Sequence, residues 1–122
     1  MREVTAALAG GGTFRTRLGR LITRILALLD ESPEALLFVN EELRRYWPKM
    51  SAATRRHSLI GITRRFFEEE QVSAAIDHNL LVAAFWGLLG QFARMHAFGE
   101  WSGPAVHAAP QLEALVFKML KP

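Results

Sequence analysis

The chain has 122 residues, half of them hydrophobic, so it is long enough for one domain with a substantial core. It contains no cysteine, which excludes disulfides, thiolate metal sites and a cysteine nucleophile. The net charge of +3 comes mostly from arginines interleaved with glutamates, a pattern that favours solvated helix faces and ion pairs over a nucleic-acid surface.

The first predicted elements are a short helical end over residues 1–9 and a longer helix after it. The glycines at 10–12 stop the first segment because glycine is costly in a helix. Thr13 is placed to cap the second, in which apolar residues recur at helical spacing from Phe14 onward. A row of basic side chains shares the opposite face, which we expect to be solvent-exposed: Arg17, Arg20 and Arg24.

Two further helices are predicted from capping and proline signals. Ser32 and Pro33 begin one of them, and Pro48 ends it. Ser51 or Thr54 caps the next, which runs to about residue 70. In that helix, charges of opposite sign stand four residues apart, which predicts ion pairs of Arg64 and Arg65 with Glu68 and Glu69.

The segment from Leu80 to Ala93 is the most informative part of the sequence, since it is apolar almost all the way round. Asp77 caps this helix, which ends near Gly99. A helix on the surface of a monomer needs only one apolar stripe, and this one is too short to span a membrane. We therefore expect one face to pack on the chain's own core and the other on a second copy. After a loop at 101–104, a last helix runs from about residue 108 or 110 to Leu120.

The two faces of the long helix differ in side-chain size. We assign the stripe of mainly small residues to the partner chain: Ala83, Gly87, Gly90, Arg94 and Ala97. The large residues face the core: Leu81, Phe85, Leu88, Phe92 and His96. The last helix is expected to join the interface through Leu112, Leu115, Val116 or Met119. The alternative is that the small stripe packs on a neighbouring helix of the same chain.

No set of residues predicts catalysis. The four histidines lack the spacing of a zinc site, and no glycine-rich phosphate loop follows a strand, so we expect no enzyme, cofactor or metal.

The aromatic residues can instead line an apolar cavity between helices. We predict a pocket formed by Phe38, Trp47, His57, Leu59, Phe66, Phe85, Phe92 and His96. A filled core would use the same residues, and both interpretations stay open.

Three stretches carry a family resemblance: residues 13–21, 32–50 and 79–93. With them the chain resembles the C-terminal ligand-binding and dimerisation domain of TetR-family transcriptional regulators. The resemblance implies that residues 1–12 are the end of a linker helix with its glycine-rich turn and that 13–122 form the domain. It also implies a four-helix bundle with a second copy, a small-molecule effector, and DNA contact only through an N-terminal domain absent here.

The sequence as a whole predicts an all-α antiparallel bundle of about five to six helices that forms a homodimer. We expect it to sense a small apolar ligand, without catalysis and without a membrane. The start of the chain lacks the sustained apolar segment of a signal peptide, so a cytoplasmic location is expected. The alternative function is a helical homodimeric interaction protein with a filled core. Direct binding to nucleic acid is a weaker third possibility.

Overall fold

The computed structural model describes residues 2–32, 47–49, 51–72 and 75–120. These residues contain six α-helices and no strand, so the all-α prediction is confirmed. The helices are α1 (Arg2–Ala9), α2 (Phe14–Glu31), α3 (Ala52–His57), α4 (Leu59–Glu69), α5 (His78–Ala97) and α6 (Ala109–Leu120). Short 3-10 turns cover Trp47–Lys49 and Ala105–Ala108. The helix predicted to start at Pro33 falls in residues 33–46, which lie outside the described part of the chain.

Helix α2 is the central element of the fold. Its N-terminus is capped as predicted, because the Thr13 hydroxyl accepts a hydrogen bond from the backbone N–H of Thr16 at 3.2 Å. Helices α1 and α6 and the 3-10 turn before α6 all pack on α2. Its apolar stripe repeats every three or four residues and is completely buried: Leu18, Leu21, Ile22, Ile25, Leu26 and Leu29.

The C-terminal end of α2 is joined to the start of the last helical segment through Asp30. One carboxylate oxygen accepts from the backbone N–H of Ala105 at 2.7 Å, and the other accepts from that of Val106 at 2.9 Å. The first N–H groups of a helical segment have no partner within it, so a carboxylate satisfies them well. This contact holds α6 in place along α2.

The segment predicted as one helix up to residue 70 is in fact two helices, α3 and α4, and the single-helix prediction is wrong. The chain is extended at Ser58, whose hydroxyl accepts from the backbone N–H of Gly61 at 3.1 Å. Serine competes for backbone donors in this way and therefore favours a cap over a helix interior. Ser51 forms a similar cap at the start of α3, accepting from the N–H of Thr54 at 3.1 Å.

Helix α5 is the long apolar helix, and it packs against α4. Asp77 caps it as predicted, since its carboxylate accepts from the backbone N–H of Asn79 at 2.7 Å. The inner side of the helix is buried: Leu81, Val82, Phe85, Leu89 and Ala93. No helix in the described ranges has the length and apolar character needed to cross a bilayer.

Candidate functional site

The outer side of α5 is an exposed, largely apolar surface. Leu80 is 64% exposed, Met95 is 43% exposed and Phe98, which caps the helix, is 78% exposed. Between them lie small or polar exposed residues. We call this surface the α5 face and define it by Leu80, Ala83, Ala84, Gly87, Gln91, Arg94, Met95 and Phe98. Large exposed apolar side chains on one side of a helix are typical of a surface that another protein covers.

The predicted stripe of small residues lies on or beside this face. Ala83, Gly87, Arg94 and Ala97 are exposed, and Gly90 is half-buried. Apart from its chain neighbours and the backbone of its own helix, a Cβ atom added at Gly87 would meet no described atom within 4 Å. In the single chain, nothing therefore requires glycine at this position, which leaves room for close approach of another helix.

The four residues predicted to join the interface from α6 divide into two groups. Leu112 and Val116 are buried within the chain's own core, which α6 completes by packing on α2. Leu115 is 56% exposed, and Met119 is half-buried. Only the second pair is accessible to a partner.

Two residues of the predicted aromatic pocket are buried. Phe66 and Phe85 are 1% and 0% exposed. Both contact Phe67, whose ring centroid lies 5.8 Å from that of Phe66 and 5.7 Å from that of Phe85. Phe14 of α2 stacks on Phe66 at 5.3 Å. These rings form a continuous aromatic cluster across α2, α4 and α5.

Two other predicted pocket residues, Phe92 and His96, anchor the loop after α5. The Phe92 ring lies 5.5 Å from that of Trp101, and His96 Nε2 lies 3.1 Å from the carbonyl oxygen of Gly103. Phe92 and His96 also adjoin each other, with ring centroids 6.3 Å apart. Phe38 lies outside the described residues, as do the side chains of the remaining three pocket residues: Trp47, His57 and Leu59.

The arginines of α2 hold the C-terminal end of α1. Arg17 donates from Nε and Nη2 to the carbonyl oxygen of Leu8, at 3.2 and 2.9 Å. Arg20 donates to three further carbonyls, those of Ala7, Gly10 and Gly11, at 3.0, 2.6 and 2.7 Å. The last carbonyls of a helix lack partners and form the negative end of its dipole. The prediction that Arg17 and Arg20 face solvent is therefore wrong.

Arg17 also connects α1 and α2 to the end of α4. Its Nη1 pairs with the carboxylate of Glu70, and its Nη2 lies 3.9 Å from that of Glu69. Its guanidinium lies over the Phe66 ring, 4.9 Å from the centroid. The pairs predicted within α4 are not among the ion pairs of the described residues, and Glu69, one of the predicted partners, lies next to Arg17 instead.

A groove of about 180 Å³ opens beside this arginine, where α1, α2 and α4 meet. Its wall combines apolar side chains with charged ones from two helices. It is lined by Thr5, Leu8, Ala9, Arg17, Ile62, Arg65, Phe66 and Glu69. Of the predicted ligand-binding residues whose side chains the structure describes, Phe66 alone lines this groove, so the groove is a second candidate site that periodicity did not indicate.

The Arg17→Met variant should lose about 2 kcal/mol of unfolding free energy, since it removes charge-assisted hydrogen bonds to Leu8 and the contact with Glu70. The matched control is Arg15→Met. Arg15 also pairs with a carboxylate, Glu113 at 2.9 Å, but its side chain is 54% exposed, so its loss should stay below about 1 kcal/mol. Urea unfolding measures both values, and equal losses would contradict a structural role for Arg17.

The described residues contain no group of three or more histidine, aspartate or glutamate side chains that could hold a metal ion. No family model matches this chain, and no curated protein or solved structure is similar enough to count as a match. The resemblance to TetR-family regulators thus depends on the sequence pattern alone.

Proposed function

We propose that this chain is the self-associating, ligand-sensing domain of a TetR-like transcriptional regulator, and that two copies join through the α5 face. The observation that supports this most directly is the exposure of Leu80, Met95 and Phe98 along one side of a helix whose other side is buried. Burying such a surface against a second copy removes apolar area from water, which is the main driving force of stable association.

The arrangement of side chains on the α5 face favours a second copy as the occupant. In an antiparallel pair centred near residue 89, Leu80 of one copy meets Phe98 of the other, and Ala83 meets Met95. The same register places Gly87 opposite Gln91 and Ala84 opposite Arg94. Small residues face large ones at three of these four positions, and Leu80 and Phe98 meet at the ends. A two-fold interface requires self-complementarity of this kind.

Ligand sensing is the second part of the proposal. The groove between α1, α2 and α4 supports it, because a molecule bound there would contact α1 and α4 at once. In the domain organisation that the resemblance implies, α1 leads towards a separate DNA-binding domain. A ligand that changes how α1 packs would then change the position of that domain.

The alternative function, a helical homodimer with a filled core and no ligand, also has a specific observation in its favour. Phe66, Phe67 and Phe85 are each at most 1% exposed, and Phe67 contacts both of the others. The two proposals share the dimer and differ in whether a small molecule binds.

Sedimentation equilibrium at micromolar concentration tests the part that both proposals share. We expect a species of twice the monomer mass. A monodisperse monomer over the whole concentration range would contradict self-association and would remove the function proposed for the α5 face.

A further inference from the structure

The groove between α1, α2 and α4 is lined by an arginine that has no ion-pair partner among the described residues. Its floor is apolar, formed by Leu8, Ile62 and Phe66. Two arginines line it, and their situations differ. Arg17 donates hydrogen bonds to the carbonyl oxygen of Leu8 and forms an ion pair with the carboxylate of Glu70. Arg65 has no carboxylate within ion-pair distance among the described residues, and its Nε is buried without a hydrogen-bond partner.

A buried guanidinium Nε without a partner is unfavourable, because its N–H has lost hydration and gained no hydrogen bond in return. The neighbouring carboxylate of Glu69 also lines the groove, but its side chain is 65% exposed and lies on the Arg17 side, 3.9 Å from Nη2. An anion in the groove would supply the missing partner of Arg65, and the solvated Glu69 side chain is free to turn away from it.

We propose that this groove binds a small amphipathic carboxylate, with its apolar body against Leu8, Ile62 and Phe66 and its carboxylate paired with Arg65. The guanidinium fork matches the two oxygens of a carboxylate. The volume of about 180 Å³ is below the ~300–1,000 Å³ of pockets for drug-sized ligands, so the occupant is a small acid, not a long-chain lipid. The inference rests on the proposed ligand-sensing function and names the chemical class of the ligand.

The probes are benzoate and benzamide, which share size and shape and differ in charge. Isothermal titration calorimetry of the full chain should show benzoate binding at least tenfold more tightly than benzamide. Amide hydrogen exchange with and without benzoate should show added protection in α1 and α4, the helices that line the groove. Equal affinity for the two probes, or protection confined to other helices, would overturn the proposal.

Arg64 provides a matched control for Arg65. Both arginines are half-buried on α4 with an unpartnered Nε, but only Arg65 lines the groove. Arg65→Gln should weaken benzoate binding at least tenfold, whereas Arg64→Gln should change it less than twofold. Should Arg65→Gln fail to fold, Arg65→Lys keeps the charge but not the fork, and is expected to weaken binding several-fold.

If the Arg64 and Arg65 variants weaken benzoate binding equally, pairing at Arg65 is contradicted. Unchanged benzoate binding in Arg65→Gln would also contradict it. Where Arg65→Gln does not fold, unchanged binding in Arg65→Lys has the same meaning. Sedimentation of the same samples reports dimerisation separately. A dimer that does not distinguish benzoate from benzamide would refute the ligand class and leave the alternative function, a helical homodimer without a ligand, standing. A monomer that binds benzoate would refute the proposed interface and leave the groove site standing.

Discussion

The Gly87→Arg variant is expected to be a folded monomer. In the single chain, Gly87 is exposed and an added Cβ contacts no described atom beyond its own helix backbone and chain neighbours, so a side chain here should not disturb the helix. Replacing glycine within a helix even favours the helical state, by about 0.5–1 kcal/mol for alanine. In the proposed dimer, by contrast, Gly87 lies where the two helices approach most closely. Two arginines, one from each copy, would bring bulk and like charge into that contact, and we expect the dimer dissociation constant to rise at least 100-fold.

Two controls separate this effect from unfolding and from charge alone. Gly87→Ala adds one methyl group and should leave the dimer within about tenfold of its original affinity. Thr23→Arg places the same charged side chain at an exposed position of α2 and should leave the dimer unchanged. Sedimentation equilibrium gives the dissociation constants, and far-ultraviolet circular dichroism checks that helix content is kept. A Gly87→Arg protein that dimerises normally would show that the α5 face is not the interface.

The features that sequence predicted well are local ones. Thr13 and Asp77 cap their helices as expected, because a cap depends on a side chain and on backbone groups two or three residues away. The orientation of α5 follows from periodicity in the same way, since Phe85 is buried and Gly87 is exposed. Both kinds of signal are contained in a single stretch of chain.

The features that sequence missed depend on contacts between distant parts of the chain. Arg17 and Arg20 lie on the polar face of α2, and periodicity places such a face in solvent. They instead donate hydrogen bonds to the end of α1, which the glycine turn at 10–12 allows to pack against α2. The groove arises for the same reason, since it requires α1 to lie beside α4. Serine at position 58 was a local signal that could have predicted the break between α3 and α4.

Replacing Phe85 with alanine is the second change with a large expected effect. The side chain is 0% exposed and lies between Phe67 and Trp86, with ring centroids 5.7 and 5.3 Å away. Removing a phenyl ring from a filled core costs about 3–5 kcal/mol, through lost burial and the cavity that remains. We expect a loss in that range by urea unfolding, measured at one fixed protein concentration because a dimer's stability depends on it. If the alanine variant does not fold, Phe85→Leu should retain structure and lose about 1 kcal/mol.

Phe92→Ala is the matched control, because Phe92 is on the same helix but only half-buried, against Trp101. Its loss should be roughly half that of Phe85→Ala, since less apolar area leaves water at this position. A loss below about 1 kcal/mol at Phe85 would instead show that its ring borders open space, as the sequence-predicted aromatic pocket requires. The full loss would mean that the aromatic cluster is a filled core around Phe85. A ligand would then have to bind elsewhere, and the groove on the far side of Phe66, beside Arg65, would be the place to look for it.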